Sequence, residues 1–252
     1  MINVSKFKEY KDIVMKLLND INPDEIDRGA NLLMNAVKKD KLIYVIGTDG
    51  HDYMAAEEMF LKAGGLLNIH PIFPSGLALS HGGLRSNIFE RCQGYISGVL
   101  DYYAPLKENV LIIVSSCGIN SSAIEAAVKG KKHGANILAI TSTEFSKYIP
   151  ANHPARDPSG NNLCDLEQVD VIIDNKVPKG DAILSFNDLD VKVSSVSTIL
   201  NGFILNSLVA ATVEKLLNEG IIPDIWKNVN LPGADEYNEK YIKKYSNRIK
   251  RF

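Results

Sequence analysis

The sequence predicts an α/β protein built on a parallel sheet. Two observations carry that reading. Short apolar runs ending at glycine or serine, LIYVIG (42–47), NVLIIVSS (109–116) and NILAITS (136–142), have the pattern of strands buried on both faces. Between such runs lie helical stretches long enough for a crossover, so strand, helix and strand make parallel βαβ units.

Phe7, Tyr10, Val14, Leu17, Leu18 and Ile21 recur at spacings of three and four, which predicts an opening helix. Asn22-Pro23-Asp24-Glu25 restarts a second one: a capping residue, proline at the first position, then acids in the first turn. It carries Ile26, Leu33 and Val37 inward to about Lys39. LIYVIG is the first strand, followed by a helix expected over 51–63 and stopped by Gly64-Gly65. LLNIHPIF reads as a second strand, and 75–105 as mainly helical, broken at Gly82-Gly83, Gly94 and Gly98. NVLIIVSS, a helix over 122–133 closed by Gly134, and NILAITS complete the next unit. Residues 143–168, with three prolines, form a connection much longer than usual, which marks it as functional or mobile. VDVIID is a fifth strand, 182–193 a small edge hairpin, 196–219 a long apolar helix and 234–248 a charged final helix. The expectation is one domain over 1–252, with N-terminal helices (1–40), an α/β core (41–220) and a C-terminal tail and helix (221–252).

Composition excludes several classes. At 252 residues, 45% apolar and 23% charged, the chain is neither disordered nor a disulfide scaffold. With 28 basic and 30 acidic residues, bulk charge does not drive nucleic-acid binding. Cys92, Cys117 and Cys164 stand far apart with no metal-ligand spacing, as free thiols in a reducing cytosol do. The first 20 residues are amphipathic and charged, with no secretory apolar stretch, and the longest apolar run is too short to span a bilayer. A soluble cytoplasmic protein without membrane, metal or nucleic-acid partner is expected. The missing G-x-G-x-x-G and P-loop patterns leave no dinucleotide or nucleotide cofactor to expect.

Two turns carry the candidate chemistry. Gly47-Thr48-Asp49-Gly50-His51 joins a buried strand to a helix, where ligands of open α/β sheets bind. Ser115-Ser116-Cys117-Gly118-Ile119-Asn120-Ser121-Ser122 sets four serines, an asparagine and a glycine before a helix start. Capping needs only one serine, and the surplus of donors without an acid suits a bound phosphate. Cys117 reads as a small residue filling a tight turn. At 100° per residue, Tyr53, Ala56, Phe60 and Ala63 face the sheet, while Glu58 shares the opposite stripe with His51, Met54, Leu61 and Lys62. The apolar members of that stripe imply contact with another subunit, and partial burial would make Glu58 a base. The competing account pairs Glu58 with Lys62 at i+4. His81 and Arg85 form a turn with an acid–base group and an anion clamp, His153 lies in the long loop, and His70 and His133 read as structural. Asn201, Asn206 and the run Ser194–Thr198 are either pocket groups or satisfied core and capping groups.

The stretch SSCGINSSAIEAAVKGKKHGANILAITS resembles the signature of the SIS (sugar isomerase) domain, S-x-S-G-x-[ST] followed by a helix and an "AIT" strand, and LIYVIGTDGHDYMAAEEMF resembles its first strand and turn. AAEEMFLKAGGL, ALSHGGLRSNIFER, VIIDNKVPKGDAIL and VSTILNGFILNSLVA are similar to an uncharacterised sugar-isomerase branch. The resemblance implies a three-layer αβα sandwich with five parallel strands in flavodoxin-like order. It also implies homodimers, or dimers of dimers, with sites near subunit contacts. It implies that Ser115, Ser116, Gly118, Asn120, Ser121 and Ser122, with Gly47, Thr48 and Arg85, hold a sugar phosphate. Ala56-Glu57-Glu58 is similar to the Ala-Glu-Glu of phosphoheptose isomerases, whose second glutamate is catalytic. Cys117 and Asn120 depart from the signature, and the last helix lacks those enzymes' histidine. The expected activity is aldose–ketose isomerisation through an enediol, with Glu58 moving the proton and His51, His81 or His153 assisting. The alternatives are a phosphosugar lyase or etherase, and a phosphosugar-sensing regulator without catalysis.

Overall fold

The computed structural model describes residues 4–252. Helices α1 (Ser5–Asn19) and α2 (Pro23–Lys38) precede strand β1 (Ile43–Gly47), helix α3 (Met54–Met59) and strand β2 (Ile69–Pro71). After a 3-10 turn (Leu79–His81) come α4 (Gly83–Phe89), α5 (Tyr95–Tyr103), β3 (Val110–Val114), α6 (Ser121–Lys132), β4 (Asn136–Thr141) and α7 (Thr143–Tyr148). A second 3-10 turn (Leu163–Asp165) leads to β5 (Val171–Asp174), β6 (Ala182–Leu184), β7 (Val193–Ser195), α8 (Ser197–Asn218) and α9 (Ala234–Tyr245).

Five strands form one parallel sheet in the order β2-β1-β3-β4-β5, the flavodoxin-like order, with Val45 opposite Ile112 and Ile112 opposite Leu138. Strand residues alternate between faces, so one sheet feeds two cores. Ile43, Val45, Ile112, Leu138, Ile140 and Ile173 join the core that takes Leu33 of α2 and Leu200, Ile204 and Leu208 of α8. Tyr44, Ile46, Leu111, Ile113, Ile137 and Ala139 join the other, with Ile96 and Leu100 of α5, Ala126 of α6 and Tyr245 of α9. Asn22 caps α2 by accepting the Asp24 amide, as the sequence predicts, and β6 pairs antiparallel with β7 as a separate hairpin.

Several expectations are corrected. The helix expected over 51–63 is only Met54–Met59, because Phe60 turns extended and Leu61 adopts φ 53°. At the other end, Asp49 holds the amides of His51 and Asp52 in a turn, which delays the start of the helix. Beyond α3, Gly64 donates to the Trp226 carbonyl, Trp226 to Gly65, and Leu67 to Asp224, so the chain pairs with the tail. Gly98 lies inside α5 rather than breaking it. The long connection holds α7 and a 3-10 turn around buried Arg156, which donates to the carbonyls of Ser146, Ile149, Pro150, Gly160 and Asn161. Helix α8 is long and apolar enough to cross a bilayer by length and composition. Its inner side is nevertheless committed to the core through Leu200, Ile204, Leu205, Leu208 and Leu216.

Gly47 ends β1 where a Cβ would lie 1.8 Å from the Asp52 carbonyl oxygen, a backbone atom that cannot swing away. Gly47→Ala should lower the melting temperature by roughly 4–8 °C, the shift for about 2 kcal/mol of overpacking in a chain of this size. Gly98→Ala, in α5 with open space around it, should raise it slightly through better helix propensity. Differential scanning fluorimetry of both variants checks the pair.

Candidate functional site at the carboxyl ends of β1 and β3

Both candidate turns leave the sheet side by side. Thr48, buried after β1, donates its hydroxyl to the Val114 carbonyl at 3.1 Å, and its own carbonyl accepts the Ser122 hydroxyl. Asp49 Oδ1 accepts the amides of His51 and Asp52 at 2.9 and 2.8 Å, which closes the turn. Gly118 holds a left-handed φ of 62°, and its amide donates to Ser115 Oγ at 3.0 Å.

Asp52 joins the two turns. Its carboxyl accepts the Ser116 amide, the Ser116 hydroxyl at 2.9 Å and Asn201 Nδ2 of α8 at 2.8 Å. Asn201 Oδ1 in turn accepts Asn175 Nδ2 at 2.9 Å, so one buried polar chain links β1, β3, α8 and the end of β5. Burial pushes the Asp52 carboxyl well above the usual carboxylate range, and the neighbouring Asp49 charge adds to this. Glu90, just past α4, accepts Asn120 Nδ2 at 3.4 Å, while its carbonyl accepts the Ser122 amide. Burial pushes Glu90 up to about 7; Asp49 adds to the rise and Arg91 opposes it.

The sequence-predicted anion turn is thus largely engaged within the chain. Ser115 accepts from Gly118, Ser116 is held by Asp52, Ser121 donates to Asp157 at 2.7 Å and Ser122 to Thr48. Asn120 donates to the Ala155 carbonyl at 3.1 Å. The turn itself contains no acid, but the fold brings three to it from Asp49, Asp52 and Glu90. Burial pushes the Cys117 thiol up to about 12, consistent with a filler and not a nucleophile. The α6 helix dipole remains the cationic feature of the turn, although the Ser122 and Ala123 amides already donate to the Glu90 and Asn120 carbonyls.

Beside the β1 turn lies a cleft of about 370 Å³, lined by Gly50, His51, Tyr53, Glu57, Ser80 and Thr198 among others. His51 and Glu57 therefore face one cavity. Glu58 does not share it: Oε2 pairs with Lys62 Nζ at 2.9 Å, and Oε1 accepts Asn206 Nδ2 of α8 at 2.9 Å. The single-stripe expectation for His51 and Glu58 fails because His51 precedes the helix. The back face of α3, expected to meet another subunit, packs on α8 of the same chain, with Met54 in the shared core.

His81 Nδ1 and Arg85 Nη1 both donate to the Ser75 carbonyl, at 3.1 and 2.9 Å, and Arg85 stacks on Phe89. His153 Nδ1 accepts the Ala155 amide. His70 is buried against Tyr44, accepts the Lys250 amide, and is pushed down to about 4 chiefly by burial; His133 pairs with Asp101. Sequence reasoning missed Asp52 and Glu90. Asp52 sits three residues past a capping aspartate and reads locally as part of a turn. Nothing in local spacing places Glu90 beside residue 120.

The arrangement puts His51 and Glu57 in one cleft beside the head of an open parallel sheet, with the β1 and β3 turns hydrogen-bonded to each other. The chain belongs to the SIS domain family, whose model matches residues 7–142. It is 38% identical over 249 residues to the UPF0309 protein of Thermoanaerobacter pseudethanolicus, covering 96% of this chain and 98% of that one. It is 36% identical over 235 residues to the UPF0309 protein of Geobacillus thermodenitrificans, covering 93% and 92%. Its fold is shared with the phosphoheptose isomerase GmhA of Neisseria gonorrhoeae at 13% identity and a TM-score of 0.51, over 83% of this chain and 97% of that one.

The Glu90 shift has a sign that melting curves can read. A folded pKa near 7, above the ordinary 4.5, means that ionisation opposes folding. Stability should fall as pH rises from about 4.5 to about 7 and level off above. Glu90→Gln should show a smaller fall over that window, so the variant gains on the wild type as pH rises. Thermal melts from pH 4 to 8 check this.

Proposed function

We propose that the chain binds a sugar phosphate at the carboxyl ends of β1 and β3 and interconverts its aldose and ketose forms through an enediol. The observation that supports this best is the cleft beside the β1 turn that His51 and Glu57 both line, the same turn whose Thr48 carbonyl holds Ser122 at the start of α6. The helix end favours the phosphate. A carboxylate moves a proton between neighbouring sugar carbons, and an imidazole protonates or polarises the oxygen. In this reading Glu57 is the carboxylate that faces the cavity. Glu58, which the Ala-Glu-Glu resemblance favours, is the competing one and would have to leave Lys62 and Asn206 to act.

The second reading is a phosphosugar-sensing protein without catalysis. What favours it is that the hydroxyls of Ser115, Ser116, Ser121 and Ser122 are all engaged within the chain and Glu58 is ion-paired.

A melting panel of sugar phosphates, free sugars and inorganic phosphate tests binding. A ligand at a hundred times its dissociation constant adds about 2.7 kcal/mol, a rise of roughly 5–10 °C here. Glu57→Gln should then cut turnover of the binding sugar phosphate by about 10²-fold or more and leave the melting rise intact. If Glu58→Gln does this instead, the base is Glu58. Binding without turnover in the wild type favours the sensor.

A further inference from the structure

Glu90 is held at the edge of the serine turn by its own backbone. Its amide donates to the Ser86 carbonyl of α4 at 2.9 Å, and its carbonyl accepts the Ser122 amide of α6 at 3.0 Å. The 3-10 turn before α4 lines the cleft of His51 and Glu57 through Leu79 and Ser80. Residues 79–90 thus run from the cleft wall to the serine turn.

The carboxyls near that turn differ in how they are satisfied. Asp49 accepts two amides and Asp52 accepts three donors. Asp157 accepts the Ser121 hydroxyl and both the amide and hydroxyl of Ser159. Glu90 is the exception. Asn120 Nδ2 lies 3.4 Å from its Oε1 and is shared with the Ala155 carbonyl at 3.1 Å, while Arg91 Nε lies 3.7 Å from the same oxygen. The other oxygen, Oε2, takes no donor, yet the side chain is only 13% exposed. A buried carboxylate needs donors, whereas a protonated carboxyl is itself a donor and needs an acceptor. A second group at the turn is unmet in the same sense. Thr141, fully buried at the end of β4, sets Oγ1 2.5 Å from where a Cβ on Gly118 would lie. That oxygen is the one buried side-chain polar atom among the described residues without a hydrogen-bond partner. Two potential donors therefore stand at the turn without an acceptor, which is the complement of an oxyanion.

We infer that Glu90 donates a hydrogen bond to the phosphate at this turn, so that the site takes up its ligand together with one proton; this rests on the sugar-phosphate reading above. The proton comes from solvent on binding and returns there on release. Neutral Glu90 replaces a repulsion by a charge-assisted hydrogen bond, which is stronger than one between neutral groups. The groups around it set when the proton is available. Burial, then Asp49 of the β1 turn, push Glu90 up to about 7 against the opposing pull of Arg91, so the empty site is about half protonated at neutral pH. Cys117 of the β3 turn, pushed up to about 12 by burial, stays a neutral thiol throughout. Burial raises Asp157 as well, but its hydrogen bonds to Ser159 and Ser121 outweigh this and keep it ionised.

Sulfate is the probe, because it stays a dianion near neutral pH and every proton counted then belongs to the protein. Titration calorimetry should show wild-type affinity falling about tenfold from pH 6 to pH 8, following the protonated share of a group near 7. At pH 8, titrations in Tris and in HEPES, which differ in ionisation heat, should count about one proton taken up per sulfate. Glu90→Gln should fold, since it removes only a charge that opposes folding. Uncharged and still a donor, it should bind at pH 8 as tightly as the wild type at pH 6, without proton uptake. A merely structural role would change the melting temperature and leave the proton count alone. A wild-type affinity indifferent to pH overturns the inference. So does a pH dependence that survives in Glu90→Gln, which assigns the proton to His51 or another histidine. Both of those outcomes leave the sugar-phosphate reading standing. Failure of sulfate and inorganic phosphate to bind either protein at pH 6 removes the anion site itself, and this inference with it.

Discussion

The head of the sheet depends on one buried carboxyl. Asp52 accepts hydrogen bonds from the amide and hydroxyl of Ser116 and from Asn201, and through Asn201 it reaches Asn175. Four separate stretches of chain thereby share one polar network inside an apolar surround. Loss of any member would strand a buried donor or acceptor, which costs more than the bond itself contributes. The network also fixes spacing. The β1 turn cannot drift from the β3 turn while Asp52 spans them, and Gly47 leaves no room for a side chain between strand end and Asp52 carbonyl. The position of α8 follows from the same constraint, because Asn201 anchors its first turns.

That network changes the electrostatics in which a sugar phosphate would sit. Asp49, Asp52 and Glu90 approach the serine turn, yet burial raises Asp52 and Glu90, and each disfavours ionisation of its neighbours. A phosphate brought to the α6 N-terminus would push Glu90 further up from about 7, so binding in the proposed reading would take up protons near neutral pH. The α6 helix dipole favours the phosphate within that negative surround.

The strands were legible because their signal is local. Val110–Val114 and Ile137–Ile140 are fully apolar runs, and a strand buried on both faces shows that pattern without regard to its neighbours. Asn22-Pro23 was legible for the same reason: capping needs only adjacent residues. The site was legible in its turns but not in its partners. Asp52 meets Ser116 across 64 positions, and no spacing rule reaches that far. Helix α3 was overdrawn because Asp49 ties 51–52 into a turn and the backbone leaves the helix at Phe60 and Leu61, neither of which helical period reveals. The apolar stripe on α3 was read correctly as covered, but its cover is α8 rather than another chain. The long loop is ordered by a single buried guanidinium, Arg156, whose five carbonyl partners all lie four to ten residues away within the same segment, a pattern for which no spacing rule exists.

Helix α8 gives these constraints a common consequence. One side is bound to the sheet head through Asn201 and Asp52, and the other holds Glu58 through Asn206. Asn201 and Asn206 are five residues apart, on opposite sides of the same rigid rod. A rod held at both faces transmits position: a shift of α8 moves where Asn201 meets Asp52 and where Asn206 meets Glu58 together. The two carboxylates that compete for the proposed proton transfer differ in this respect. Glu57 lines a cleft beside the β1 turn, whereas Glu58 is tied to α8 through Asn206, so a displacement of α8 acts on Glu58 directly and on Glu57 only through the turn.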